Sequence, residues 1–138
     1  MPDYISENDK KELLAARFRQ GARGPGHFDC WGICEEVARR AGIRMISFKE
    51  WVTKISERDR IFRSFADSDK FERLAGPEPF CIVGFTKAGN GKVRHMGIVL
   101  EDGRSFMHAR RKLGVSITKL SDPQYAGRIY GYFKYVGA

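Results

Sequence analysis

The chain has 138 residues, 42% of them apolar and 30% charged, with a formal net charge of +8. That size and composition support one domain around one core and exclude a disordered chain. No stretch approaches the roughly 20 apolar residues of a membrane span, the N-terminus MPDYISENDKKELL lacks the apolar segment of a secretion signal, and three cysteines make no full disulfide framework. The basic balance suits an anionic partner. Lys and Arg are nevertheless interleaved with acids in KKE, EEVARR and SERDR, as on a solvated surface.

In chain order, Ser6 is a helix N-cap with acids behind it, and predicts a helix from Ser6 to about Phe18. Gln20 to Phe28 is a loop punctuated by Gly21, Gly24, Pro25 and Gly26. Asp29 caps a second helix, Cys30 to Ala41. Arg39 and Arg40 suit its negative end and Gly42 its stop. A capping box of Ser47 and Glu50 opens a third helix near Phe48 to Ser56. Asp59 to Leu74 reads as helix with a break near Ala66, and Gly76, Pro77 and Pro79 end this helical half, about 5–75.

Strands fill about 79–136. Phe80 to Thr86 is a central strand by its apolar run, and KAGNGK is a turn with Asn90-Gly91 at its tip. Val93 to Glu101 and Arg104 to Arg110 form a hairpin about Asp102-Gly103. Val115 to Leu120 and Arg128 to Val136 complete the set. Helices first and strands after predict an α+β fold in a single domain over 1–138.

The hairpin gives geometry. With Asp102-Gly103 as its turn, Val99 faces Phe106, Ile98 faces Met107 and Gly97 faces His108. Alternation then puts His95, Gly97, Val99 and His108 on one face. His95 and His108 become diagonal neighbours, roughly 7–8 Å apart at the backbone, with no side chain on Gly97 between them. A one-residue slip would separate them.

Cys30 opens its helix, where the positive end lowers a thiol pKa and an imidazolium nearby would lower it further. His95 is the candidate general base and His108 the group that orients its ring. Backbone N–H groups at the helix start, around Asp29, Trp31 and Gly32, are candidates for an oxyanion hole. Gly24-Pro25-Gly26 lets a substrate chain approach closely. Cys34 and Cys81 read as small buried hydrophobes. A zinc set of Cys30, Cys34, His95 and His108 stays open, although two cysteines on one helix differ from the usual loop-borne spacing. GARGPG has neither the preceding strand nor the Gly-Lys-Ser/Thr of a phosphate loop. No metal or cofactor is expected.

FDCWGICEEVARRAGI at Phe28 to Ile43 and HMGIVLEDGRSFMHA at His95 to Ala109, in the order Cys, His, His, resemble the NlpC family of papain-like cysteine peptidases. The resemblance covers roughly Phe18 to Val136, and the GARGPG-HFDCWG variant looks most like the phage-tail branch. It implies helices carrying the nucleophile, packed on an antiparallel sheet carrying the other two residues. It implies hydrolysis of peptide bonds in peptidoglycan stem peptides, with Cys30 as nucleophile, His95 as base and His108 as orienting residue. Phage tail proteins are the implied partners, and the implied place of action is the cell wall after synthesis in the cytoplasm without a signal peptide. One departure stands out: many members place a tyrosine upstream that lines the oxyanion site, and Phe18, nearest to that place here, has no hydroxyl to donate.

Other classes stay open. One is a tail structural module with weak or no catalysis. Another is a binder of anionic polymers by charge alone, since no motif for sequence-specific nucleic acid recognition is present. A third is an acyltransferase or amidase on another substrate, because a thioester yields to water or to an amine.

Overall fold

Helix α1 (Glu7–Leu14) begins where the Ser6 side chain accepts the Asp9 N–H at 3.0 Å. It belongs to a computed structural model that describes residues 4–45, 58–87 and 91–137. The helix stops at Leu14 rather than near Phe18. Arg17–Phe18 instead forms a short strand, β1, parallel to β2 (His27–Phe28). The glycine-rich loop folds the chain back on itself: Arg17 N–H donates to Gly26 O at 2.9 Å and Arg19 N–H to Phe28 O at 3.2 Å. Two-residue strands carry no periodicity, which is why the sequence pattern read this segment as helix and loop.

Helix α2 (Cys30–Arg40) runs close to the expected bounds. At its end Gly42 takes φ +77, the Ile43 N–H donates to Ala38 O at 2.8 Å and Gly42 N–H to Arg39 O at 3.2 Å, closing the last turn. The helix expected near Phe48 to Ser56 lies outside the described residues, as does the centre of the KAGNGK turn. Helix α3 (Arg58–Ala66) ends at the expected break. Phe71–Leu74 is not helix, however, but an edge strand, β3. Its register against the last strand pairs Phe71 with Tyr135 and Leu74 with Tyr132, and the Phe71 ring packs 5.4 Å from Tyr135.

The remaining strands are β4 (Ile82–Thr86), β5 (Val93–Val99), β6 (Ser105–Arg110), β7 (Gly114–Lys119) and β8 (Ile129–Tyr135), with a single-turn helix α4 (Pro123–Ala126) before β8. They form a six-stranded antiparallel sheet in the order β3-β8-β4-β5-β6-β7, so β4 is internal as its apolar run predicts. In the central hairpin Ile98 pairs with Met107 and Val99 with Phe106, as expected. The turn is different. Leu100 N–H closes on Ser105 O at 2.8 Å and Gly103 N–H on Leu100 O at 3.0 Å, so Glu101-Asp102 is the turn centre within a four-residue loop. Asp102 Oδ1 accepts both the Arg104 and Ser105 N–H at 2.9 Å, which fixes this longer loop without moving the register.

One sheet face presents Ile82, Met96, Ile98, Met107 and Phe133, which join Trp31, Ile33 and Val37 of α2 and Phe62 of α3 in the main core. Helix α2 packs against β5 and β6. The other face presents Val83, Phe85, Val99 and Phe106, gathered with Tyr125 of α4. Among the described residues no helix is long and apolar enough to cross a membrane.

Candidate active site

His95 on β5 and His108 on β6 meet directly, with His95 Nε2 2.7 Å from His108 Nδ1. The diagonal placement read from the hairpin is therefore realised as a hydrogen bond. Gly97 makes it possible. A Cβ at that position would stand 2.7 Å from Phe106 Cδ2 and 3.3 Å from His108 Cβ. An aromatic bed holds both rings. Phe85 stacks on His95 with centroids 5.9 Å apart, Phe106 lies 4.5 Å from His108, and Tyr125 meets His108 edge-on at 5.2 Å. The far nitrogen of His108, Nε2, is 2.9 Å from Thr118 Oγ1 and 3.2 Å from Ser116 Oγ, both on β7.

His108 is fully buried. Burial foremost, then the charges of His95 and Arg110, push its pKa down from 6.5 to about 2. It is therefore a neutral imidazole at neutral pH. The unfolded chain takes up this proton below about pH 6.5, while the folded chain refuses it until about pH 2. In that window the unfolded state binds more protons, so stability rises with pH and is lost as pH falls from about 6.5. Denaturation melts at pH 7, 5.5 and 4.5 should show a progressive fall, and His108→Asn should flatten that slope.

Cys30 is the first residue of α2 and is buried at the helix mouth. The mouth is built by its neighbours. Asp29, fully buried, accepts the Gly32 N–H at 2.7 Å and the Gly21 N–H at 3.2 Å, and its two oxygens lie 2.9 and 3.0 Å from Arg23 Nη1. Arg23 Nε also sits 2.7 Å from Glu35 Oε2, so one guanidinium ties the loop to the N-cap of α2 and to its second turn. Gly32 is required here because a Cβ would fall 2.3 Å from Ala22 O, the carbonyl that accepts the Asp29 N–H. The Asp-Cys-x-Gly pattern is thus a packing device: a cap, a buried thiol at the first helical position and a gap for the loop backbone.

The residues expected around the oxyanion have mixed placements. The Gly32 N–H is already engaged by Asp29. Trp31 is buried in the main core with Phe62, Phe71 and Phe133. Phe18 is half-buried beneath the Arg111 guanidinium, which lies 5.5 Å from its ring centre. Asp29, Trp31 and Gly32 therefore shape the helix mouth. The other two cysteines are inert. Burial first, with Cys30, Asp29 and Glu35 adding to it, holds the Cys34 thiol well above its ordinary pKa, and it donates to Cys30 O at 3.2 Å. Burial pushes Cys81 up to about 11. Neither is a thiolate at neutral pH. Among the described residues no group of three or more His, Cys, Asp and Glu side chains is placed to hold a metal ion, so the zinc set of Cys30, Cys34, His95 and His108 is not assembled.

Sequence reasoning did not single out Ser116, Thr118, Arg23 or Tyr125. For Ser116 and Thr118 a signal existed: the β6–β7 register pairs His108 with Ser116 and Phe106 with Thr118, which puts both hydroxyls on the histidine face.

Residues 15–134 match the NlpC/P60 family. Solved structures of similar fold include NlpC1 from Trichomonas vaginalis, at 18% identity and a TM-score of 0.63, covering 91% of this chain and 41% of that one. An NlpC/P60 family protein from Bacillus cereus matches at 19% identity and a TM-score of 0.64, covering 94% of this chain and 38% of that one. A lipoprotein-like NLP/P60 family protein from Staphylococcus aureus matches at 19% identity and a TM-score of 0.58, covering 99% and 44%. The chain thus spans about two fifths of the length of these solved relatives. No curated protein matches it.

Proposed function

The chain belongs to the NlpC/P60 family, whose members are typically cysteine peptidases acting on peptidoglycan, and from that premise we propose that it hydrolyses a peptide bond in a peptidoglycan stem peptide through Cys30, His95 and His108. The contact between His95 Nε2 and a neutral His108 carries this reading. With Nε2 held by His108, the other ring nitrogen, Nδ1, is the atom that serves the thiol. Cys30 Sγ transfers its proton to His95 Nδ1 and attacks the substrate carbonyl, forming a tetrahedral oxyanion. The C–N bond breaks as His95 returns the proton to the leaving amine, and a thioester remains on Cys30. Water, deprotonated by His95, then hydrolyses the thioester and regenerates the thiol. The positive end of α2 favours the thiolate and the oxyanion alike. Because Gly32 N–H serves Asp29, oxyanion donors come from elsewhere in the mouth.

The finer reading is an enzyme of the phage-tail branch, working at the cell wall alongside tail proteins. Its support is the GARGPG-HFDCWG variant before and across the nucleophile. Incubation of the protein and its Cys30→Ala variant with stem-peptide fragments of known composition, read by mass spectrometry, tests the activity. Cleavage by the wild type alone is the expected result, and the product masses name the bond. Equal cleavage by both overturns the assignment of Cys30, and cleavage by neither favours the tail structural module.

A further inference from the structure

Resting on the reading of His95 as the base, we infer that the catalytic array does not end at His108: the hydroxyls of Thr118 and Ser116 are positioning groups that fix the direction in which the two imidazoles donate. The argument follows the protons. To accept from Cys30 at Nδ1, neutral His95 must carry its hydrogen on Nε2. That Nε2–H points at His108 Nδ1, 2.7 Å away, so His108 Nδ1 must be a bare lone pair. His108 is neutral and so has one N–H, which must then be on Nε2.

A buried N–H needs an acceptor. The oxygens within hydrogen-bond distance of His108 Nε2 are Thr118 Oγ1 at 2.9 Å and Ser116 Oγ at 3.2 Å. Both residues are half-buried, so each hydroxyl can turn its own hydrogen toward water while a lone pair faces the ring. The chain of donation runs from His95 through His108 to the hydroxyls. When His95 becomes an imidazolium during catalysis, its Nε2–H keeps the same acceptor and no hydrogen has to move. The reverse arrangement, with hydrogen on His108 Nδ1, would place that hydrogen on His95 Nε2 and force His95 to carry its own on Nδ1, where it cannot take the thiol proton. Charged and titratable groups beside the pair include Arg110 on β6, next to His108, and Tyr125 of α4, which accepts from Arg110 and lies under the Arg128 guanidinium. The two hydroxyls at His108 Nε2 hold the place a carboxylate or amide occupies behind other catalytic histidines.

Nitrogen NMR of ¹⁵N-histidine protein tests this directly, since the chain holds only three histidines, His27, His95 and His108. At pH 7 the wild type should show His95 and His108 both as Nε2–H tautomers. The double variant Ser116→Ala/Thr118→Val should move His108 to a mixed or Nδ1–H population and lower kcat about tenfold or more with KM little changed, while melting as a folded protein. Thr118→Ser alone should retain both tautomer and rate. An Nδ1–H His108 in the wild type, or a double variant with unchanged tautomers and kcat, overturns the inference. Loss of the underlying reading has a different signature: Cys30→Ala would then cleave as the wild type does, whatever the tautomers are.

Discussion

Replacement of His95 by alanine should lower kcat about 10³-fold or more while KM changes by no more than about threefold. The base acts on the thiol and the leaving amine, not on substrate binding, so the loss belongs to the chemical step. His108→Ala should cost less, about 10²-fold, because it removes the restraint on the base and leaves the base itself. The two losses should not add in the double variant, since both act through one ring, and His95 and His108 touch at 2.7 Å. Steady-state kinetics on a cleaved stem-peptide fragment checks all three. A His95→Ala enzyme within tenfold of wild type would remove the base from the scheme.

The second large effect is on stability. Asp29→Ala removes the cap of α2 and leaves the Gly32 N–H, the Gly21 N–H and the inward arm of Arg23 without their shared acceptor. A lost cap costs about 1 kcal/mol, and unpairing buried donors and a partly buried guanidinium raises the total to about 3 kcal/mol. For a domain of this size that is a fall in Tm of about 10 °C. Asp29→Asn keeps one acceptor oxygen and should fall about half as far. Thermal melts with circular dichroism read both. An Asp29→Ala protein that melts with the wild type would mean that the loop, not the carboxylate, holds the helix mouth.

What the chain reveals before it is folded is uneven, and the reasons are physical. The β5–β6 pairing was legible because alternation has a period of two, and a slip would expose Met96, Ile98 and Met107. The turn was not, because Asp102-Gly103 and Glu101-Asp102 give the same register and differ only in which N–H groups the Asp102 side chain holds. Cap residues Ser6 and Asp29 were legible from their chemistry. Strands β1, β2 and β3 and the one-turn helix α4 were hidden. Each is too short for a period, and each is held by distant partners: β1 by β2, β3 by Tyr132 to Tyr135, and α4 by the ring of Tyr125 against Phe85 and Phe106. Cys30, His95 and His108 were singled out by residue type and position. What surrounds them was not: Arg23 bridging Asp29 and Glu35 is a tertiary contact of a loop, and the Arg111 guanidinium over Phe18 joins residues far apart in the chain.

Brief treatment with iodoacetamide at pH 7, followed by intact mass and peptide mapping, tests most directly whether one thiol in this chain is set apart as a nucleophile. All three cysteines are buried and free, so exposure does not choose among them. The account predicts one carbamidomethyl group, on Cys30, with Cys34 and Cys81 unlabelled and with slower labelling in His95→Ala. Label on Cys34 or Cys81 ahead of Cys30, or a Cys30 that reacts no faster than an ordinary thiol peptide and is indifferent to His95, would contradict it.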